Sequence, residues 1–228
     1  MENQQMGEER LDQYLNFIKE TELLKNVLRT AWGSTGRQES TAEHSWRLAL
    51  FAALLLGDYP ELDGKRVLFM CLIHDLGELY DGDISAALLP DEQQKHAGEQ
   101  RSVERLFSFL PEKEREYFMA VWREYNENST PEAHLVKALD KAETILQHNQ
   151  GINPPDFDYE FNLQYGASYF KEDGRMAALR ARLDQETKKH IMLDPGRSAP
   201  GIRPEPFRAW KARSKGNEIY GHGVLHPQ

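Results

Sequence analysis

The chain has 228 residues, with 28 lysines and arginines against 37 aspartates and glutamates and a formal charge of -9. That length suffices to bury one sizeable core, and the acidic balance excludes the clustered basic footprint expected of a binder of duplex nucleic acid. A small phosphorylated ligand is still compatible with it, because one local arginine can serve a phosphate.

The single cysteine, Cys71, sits in the apolar run Val67 to Ile73. No intramolecular disulfide can form, which points to a reducing compartment, and the residue itself reads as a small buried hydrophobe. Met-Glu-Asn-Gln-Gln at the start lacks the basic then apolar pattern of a signal peptide, and no apolar run approaches the length of a membrane span. The expectation is a soluble, cytoplasmic protein that engages no membrane.

Residues 9 to 31 place Leu11, Tyr14, Leu15, Ile18, Leu23, Leu24, Val27 and Leu28 at intervals of three and four, which predicts an amphipathic helix ended by Gly33-Ser34-Thr35-Gly36. Ser40-Thr41-Ala42-Glu43 matches a capping box, putting His44 in the first turn of a second helix that runs to Gly57. A third helix starts at Asp63 and carries His74 and Asp75 in its last turn, with Gly77 just beyond. Residues 78 to 90, with Glu78, Asp81, Gly82 and Asp83, read as a loop or short irregular helix.

Two polar helices follow, over about 91 to 109 and 112 to 127, divided at Pro111. Thr130-Pro131-Glu132 reads as an N-cap with proline at the first helical position, opening a helix that carries Asp140 and ends by Asn153-Pro154-Pro155. Residues 157 to 192 supply one or two more helices. From Asp194 onward, proline and glycine recur from Pro195 to Gly223 and helical periodicity fades. Phe207, Trp210 and Tyr220 are available there as anchors, and His222 and His226, without nearby carboxylates or cysteines, read as solvated. No internal repeat and no alternating run strong enough for a sheet is found. The expected fold is all-α, one helical domain over 1–193 with an irregular extension over 194–228.

The chemistry centres on His44, the pair His74 and Asp75, and Asp140. With 8 histidines and 13 aspartates, a His-Asp step arises by chance in about one such chain in two, so the dipeptide alone decides nothing. Taken singly, a histidine in a first helical turn, as His44 is, reads more readily as a capping or exposed group than as a ligand. Context adds weight: the pair ends a nearly continuous apolar run, and Asp140 lies between Leu139 and Ala142, where a lone buried carboxylate is expensive unless paired or bound to a cation. Two imidazoles and two carboxylates suit one divalent ion, manganese, cobalt, iron, magnesium or zinc, supplied by neighbouring helices of a bundle. Glu78, three residues past Asp75, is either the carboxylate that reaches the attacking water or a solvated group at a helix end. Arg29 is either a phosphate clamp or an ordinary ion pair. The segment Gly33 to Arg37 lacks the phosphate-loop spacing and reads as an inter-helix loop, with Arg37 lining the same cleft.

The strings Glu43-His44-Ser45, His74-Asp75-Leu76-Gly77-Glu78, Gly82-Asp83-Ile84 and Leu135 to Glu143 resemble the HD-domain phosphohydrolases, in the branch of the bacterial 5'-deoxynucleotidases. The resemblance covers about residues 20 to 150. It implies an all-helical bundle holding one divalent ion on His44, His74, Asp75 and Asp140, with Glu78 positioning the water and Asp83 near the substrate sugar. It also implies that Arg29, at the end of the first helix, contacts phosphate, and that the protein is a homodimer. The chain departs from the pattern where an Arg-Trp pair is expected: it has Arg29-Thr30, with Trp32 two residues on.

The resulting expectation is a metal-dependent phosphohydrolase that converts nucleoside, and in particular deoxynucleoside, 5'-monophosphates to nucleoside and phosphate. One alternative keeps the metal and changes the substrate to a cyclic nucleotide, a polyphosphate or a triphosphate. Another is a non-catalytic nucleotide-binding module stabilised by metal, which has no need of Glu78.

Overall fold

The computed structural model describes residues 7–84 and 91–193. The Pro/Gly-rich stretch from residue 194, with the candidate anchors Phe207, Trp210 and Tyr220 and with His222 and His226, lies outside the described residues, as do residues 85 to 90, the second half of the segment read as a loop or short irregular helix. Within the described part the chain is helical: α1 (Glu8–Thr21), α2 (Thr41–Leu55), α3 (Gly64–Ile73), α4 (Glu92–Phe107), α5 (Glu112–Glu127), α6 (Pro131–Gln150), α7 (Glu160–Gln164) and α8 (Gly174–Leu193). Among the described residues no helix is long and apolar enough to cross a membrane.

α6 is the centre of the bundle. Thirteen of its 20 residues are buried, far more than a one-sided amphipathic helix hides, because α2, α3, α5 and α8 all pack around it. Its start is set as the sequence predicts: the Thr130 side chain accepts from the Ala133 amide and Pro131 takes the first helical position. Leu48, Val67, Met70, Leu106, Phe107, Val121, Trp122, Leu139 and Ile145 fill the space between the helices, each almost wholly removed from water. Cys71 is free and fully buried among them.

One expected element is corrected. The helix predicted over 9 to 31 stops at Thr21, residues Glu22–Asn26 tighten into a 3-10 turn, and Leu28–Trp32 is a strand, β1, antiparallel to β2, Gln38–Ser40. Leu28 lies opposite Ser40 and Trp32 opposite Gln38. The three-and-four spacing of Leu23, Leu24, Val27 and Leu28 misled, since only Leu24 and Val27 are buried. Turn chemistry decided the outcome: Gly36 adopts φ of +77°, and the Gly33 amide donates to the Arg37 carbonyl at 2.8 Å, folding the chain back on itself. The expectation of no sheet fails here by one small hairpin, and Arg29 sits on a strand rather than at a helix end.

Candidate metal centre and its cleft

Each predicted ligand is delivered by a recognisable local device. Ser40 both ends β2 and caps α2, accepting from the Glu43 amide while Glu43 returns a bond to the Ser40 amide, so His44 begins one turn in. α3 starts at an Asp63 cap and ends at His74, whose backbone is still helical. Asp75 leaves the helix with φ of -98° and ψ of 10°. That change of backbone lets adjacent side chains, which a regular helix would splay by about 100°, converge. The His74 Nε2 atom lies 3.0 Å from Asp75 Oδ2, and His44 Nε2 lies 3.8 Å from the same oxygen. Asp140, midway along α6, brings Oδ1 to 3.2 Å from His44 Nε2.

The hydrogen bonds on the far sides of these groups fix which atoms face inward. His44 Nδ1 lies 2.5 Å from Glu143 Oε2 and His74 Nδ1 lies 2.9 Å from the Cys71 carbonyl oxygen. Both acceptors lack protons, so each Nδ1 carries a hydrogen, and in the neutral ring that a cation would bind each Nε2 presents its lone pair inward. Asp140 Oδ2 is occupied by the Tyr125 hydroxyl at 2.7 Å and by the Lys141 ammonium at 2.9 Å, leaving Oδ1 toward the imidazoles. Both Nε2 atoms are buried and lack a hydrogen-bond partner. A buried polar atom without a partner is costly, and a pair of them converging on two carboxylates fits a divalent cation, the group whose ligands are oriented in this way from behind. Among the described residues, His44, His74 and Asp75 have ligand atoms all within 4.8 Å of one another, as do Glu39, His44 and Glu143 on the far side of the same imidazole.

Charge is unevenly settled around this point. Burial works against the Asp140 carboxylate, yet Lys141 and the imidazoles hold its pKa well below the usual range. Glu78, 5% exposed, follows the opposite course: burial, with Asp75 and Asp83 adding repulsion, raises its pKa well above that of an ordinary glutamate. It accepts a bond from the Thr41 hydroxyl at 3.3 Å. Arg29 reaches across from β1, with Nη1 at 3.3 Å from Asp75 Oδ2, Nη2 donating to Thr144 Oγ1 at 3.0 Å, and Nε at 3.6 Å from Glu39.

These groups line one cleft of about 570 Å³, which Arg29, His74, Asp75, Glu78, Asp83 and Asp140 all border, as do Thr30 and Ala31 of β1. His44 lies behind that wall, fully buried. Arg37 does not join them: it is exposed, pairs with Glu43 at 2.6 Å on the outer surface, and stands apart from the cleft lining. The expectation that it lines the cleft is corrected, and the reason is the hairpin, which turns the tip carrying Arg37 away. Trp32 also stays outside, set edge-on against Phe157.

Sequence reasoning missed Glu143, Tyr125, Lys95, Lys137, Lys141 and Thr144. A helical-wheel signal existed for three of them: Lys137 stands three residues before Asp140 on α6, and Glu143 and Thr144 three and four residues after it, the spacings that share a helix face.

A bundle of helices that gathers two inward-facing imidazoles and two carboxylates at the floor of a cleft defines a class, the helical proteins built around a His-Asp metal centre. This chain belongs to the HD-domain family, whose model matches residues 21–180. It is 34% identical over 138 residues to the human 5'-deoxynucleotidase HDDC2, a match spanning 60% of this chain and 67% of the human protein. To the 5'-deoxynucleotidase hdd1 of Schizosaccharomyces pombe it is 30% identical over 161 residues, 67% of this chain and 76% of that one. A crystal structure of a predicted metal-dependent phosphohydrolase from Magnetospirillum magnetotacticum superposes with a TM-score of 0.68 at 29% identity, covering 80% of this chain and 98% of the other. An HD-domain phosphohydrolase from Listeria innocua shares the fold at 19% identity and a TM-score of 0.60, over 89% of this chain and 99% of its own. The family and the donor set together imply a divalent metal ion.

Proposed function

We propose that this chain is a metal-dependent 5'-deoxynucleotidase, hydrolysing deoxynucleoside 5'-monophosphates to nucleoside and phosphate. The observation that carries the reading is the pair of buried, unpartnered Nε2 atoms of His44 and His74 converging on Asp75 and Asp140 at the floor of a cleft. The likeness to proteins named 5'-deoxynucleotidases supports the substrate class. In this reading His44, His74, Asp75 and Asp140 hold one ion, manganese, cobalt, magnesium, iron or zinc. When bound, the ion supplies Lewis-acid chemistry, activating water and stabilising negative charge on phosphoryl oxygens.

The remaining work falls to side chains of this chain. Glu78, with its raised pKa, is suited to take a proton from the attacking water and to return one to the leaving oxygen. Thr41 holds it in place. Arg29 fixes Asp75 and Thr144 and lends positive charge to the phosphate, and Asp83, on the cleft wall, faces the sugar.

The protein is read as a cytoplasmic homodimer whose domain spans 1–193, with 194–228 an extension. Stripes of exposed apolar residues support an interface between copies: Leu11, Leu15 and Ile18 on α1, and Trp46, Leu50 and Leu54 on α2. The decisive assay is phosphate release from deoxynucleoside 5'-monophosphates by purified protein with added manganese or cobalt. Activity must vanish in Asp75→Ala and His44→Ala while the helical signal persists, and turnover surviving in either variant contradicts the assignment.

A further inference from the structure

Besides the proposed ligand His74, six basic groups line the cleft: Arg29, Lys95, His96, Lys137, Lys141 and His148. Most are already committed. Arg29 is tied to Asp75, Glu39 and Thr144, Lys141 to Asp140, and Lys95 to Glu99 at 3.5 Å and to the Ile84 carbonyl at 3.3 Å. His148 pairs with Asn162, and His96 lies flat against Trp122, 5.6 Å between ring centres. Lys137 differs. Among the described residues no carboxylate lies within 4.0 Å of its ammonium and no hydrogen bond engages it; the group rests 3.9 Å above the centre of the Tyr125 ring.

We propose that Lys137 is a phosphate-binding residue of this cleft, its ammonium holding the phosphoryl oxygens of the substrate from the side of the metal centre opposite Arg29. The inference rests on the nucleotidase reading for its substrate and on the geometry of α6 for its position. Along the cleft face of that helix Lys137 stands one turn before Asp140, whereas Thr144, which anchors Arg29, stands one turn after it. Their points of attachment to α6 are therefore about two turns, ~10 Å, apart along the axis, with the ligand carboxylate between them.

The cost of leaving this ammonium without an anion is visible. Burial, with Lys141 adding repulsion, lowers its pKa to about 8. The face of Tyr125 offers partial compensation, and the hydroxyl of that same ring is fixed by Asp140, so the platform under Lys137 is rigid. An arriving phosphate dianion supplies the missing counter-charge, as charge-assisted hydrogen bonds that a flexible lysine can aim without the fixed fork of an arginine.

The test uses the metal-loaded full chain with inorganic phosphate as the probe, read by calorimetry and by the shift in melting temperature. Lys137→Met and Lys137→Gln, both checked for an unchanged helical signal, are expected to weaken phosphate binding by about tenfold or more, and Lys137→Arg to restore most of it. In parallel, KM for deoxynucleoside 5'-monophosphates is expected to rise at least about tenfold in the Met and Gln variants, with kcat changing less. A wild-type protein that binds no phosphate, or neutral variants that bind it as tightly as wild type, overturns the proposal. If phosphate binding depends on Lys137 but no nucleotide is hydrolysed, the anion site stands and the nucleotidase reading falls. Hydrolysis with kinetics indifferent to Lys137 leaves the nucleotidase and removes the anion site.

Discussion

Glu143 meets His44 at 2.5 Å through Nδ1, one turn of α6 beyond Asp140, so a single helix supplies both a carboxylate beside the Nε2 of His44 and the carboxylate that orients the same ring from behind. Arg47 at 3.1 Å steadies Glu143 in turn. Replacing Glu143 by Gln keeps the shape but loses the charge. Affinity for manganese is expected to fall about 10- to 100-fold, measured by calorimetric titration of metal-free protein. An unchanged affinity would mean that the contact is packing alone.

Loading the centre should stabilise the fold, because the imidazoles and carboxylates are brought together only in the folded chain. At 100 times Kd the ion adds about 2.7 kcal/mol, which for a chain of this size raises Tm by about 5–10 °C. EDTA is expected to reverse the shift, and Asp140→Asn to abolish it. Melting curves with and without manganese decide the matter.

Glu78→Gln separates chemistry from metal binding. The side chain is buried on the cleft wall and bonded to Thr41, and it is not one of the four proposed ligands. Turnover is expected to drop by about 10²–10⁴ with manganese affinity within about threefold of wild type. Loss of both together would place Glu78 among the ligands instead.

Stability should depend on His148 in acid. Burial lowers its pKa to about 4, with Asn162 opposing at 2.8 Å, whereas in the unfolded chain a histidine titrates near 6.5. Between those values the unfolded chain binds the proton and the folded one does not, so the contribution of the neutral ring is complete above about 6.5 and lost as the pH falls toward 4. It amounts to about 3 kcal/mol. Urea denaturation at pH 7.5 and 4.5 should therefore show a smaller loss for His148→Gln than for wild type. Equal losses would remove His148 as the cause.

Gly151→Ala tests the link between α6 and the hairpin. A Cβ there would fall 2.0 Å from the Trp32 carbonyl oxygen, an atom that already accepts from Gln147, while the Ile152 amide donates to Gly33 at 3.1 Å. The hairpin must shift, and Arg29 with it. We expect a loss of about 2 kcal/mol or more and reduced activity, both absent from Gly57→Ala, where the added carbon meets nothing.

The parts of this molecule that were legible in the sequence are those governed by local rules. The capping box at Ser40 and Glu43, the Asp63 cap and the Thr130-Pro131 start each appear where the residues place them. His44, His74, Asp75 and Asp140 converge because those caps fix where each helix begins. The hairpin was not legible, since a five-residue strand with one buried side chain carries no alternation to detect. Lys137 and Glu143 were passed over for another reason. A charge on a helix reads as solvated until the packing around that helix is known, and α6 is enclosed on nearly every side.

That enclosure limits how the cleft can work. Lys137, Asp140, Lys141, Thr144 and His148 all border it and all belong to α6, so their spacings are set by the helical pitch and cannot change without unwinding the most deeply packed helix of the molecule. One wall is thus a rigid gauge. Adaptation to a larger or smaller nucleoside must come from the facing side, where Ile84, Lys95, Phe161 and Tyr169 sit on other segments, and it is there, rather than along α6, that substitutions should retune the choice of base.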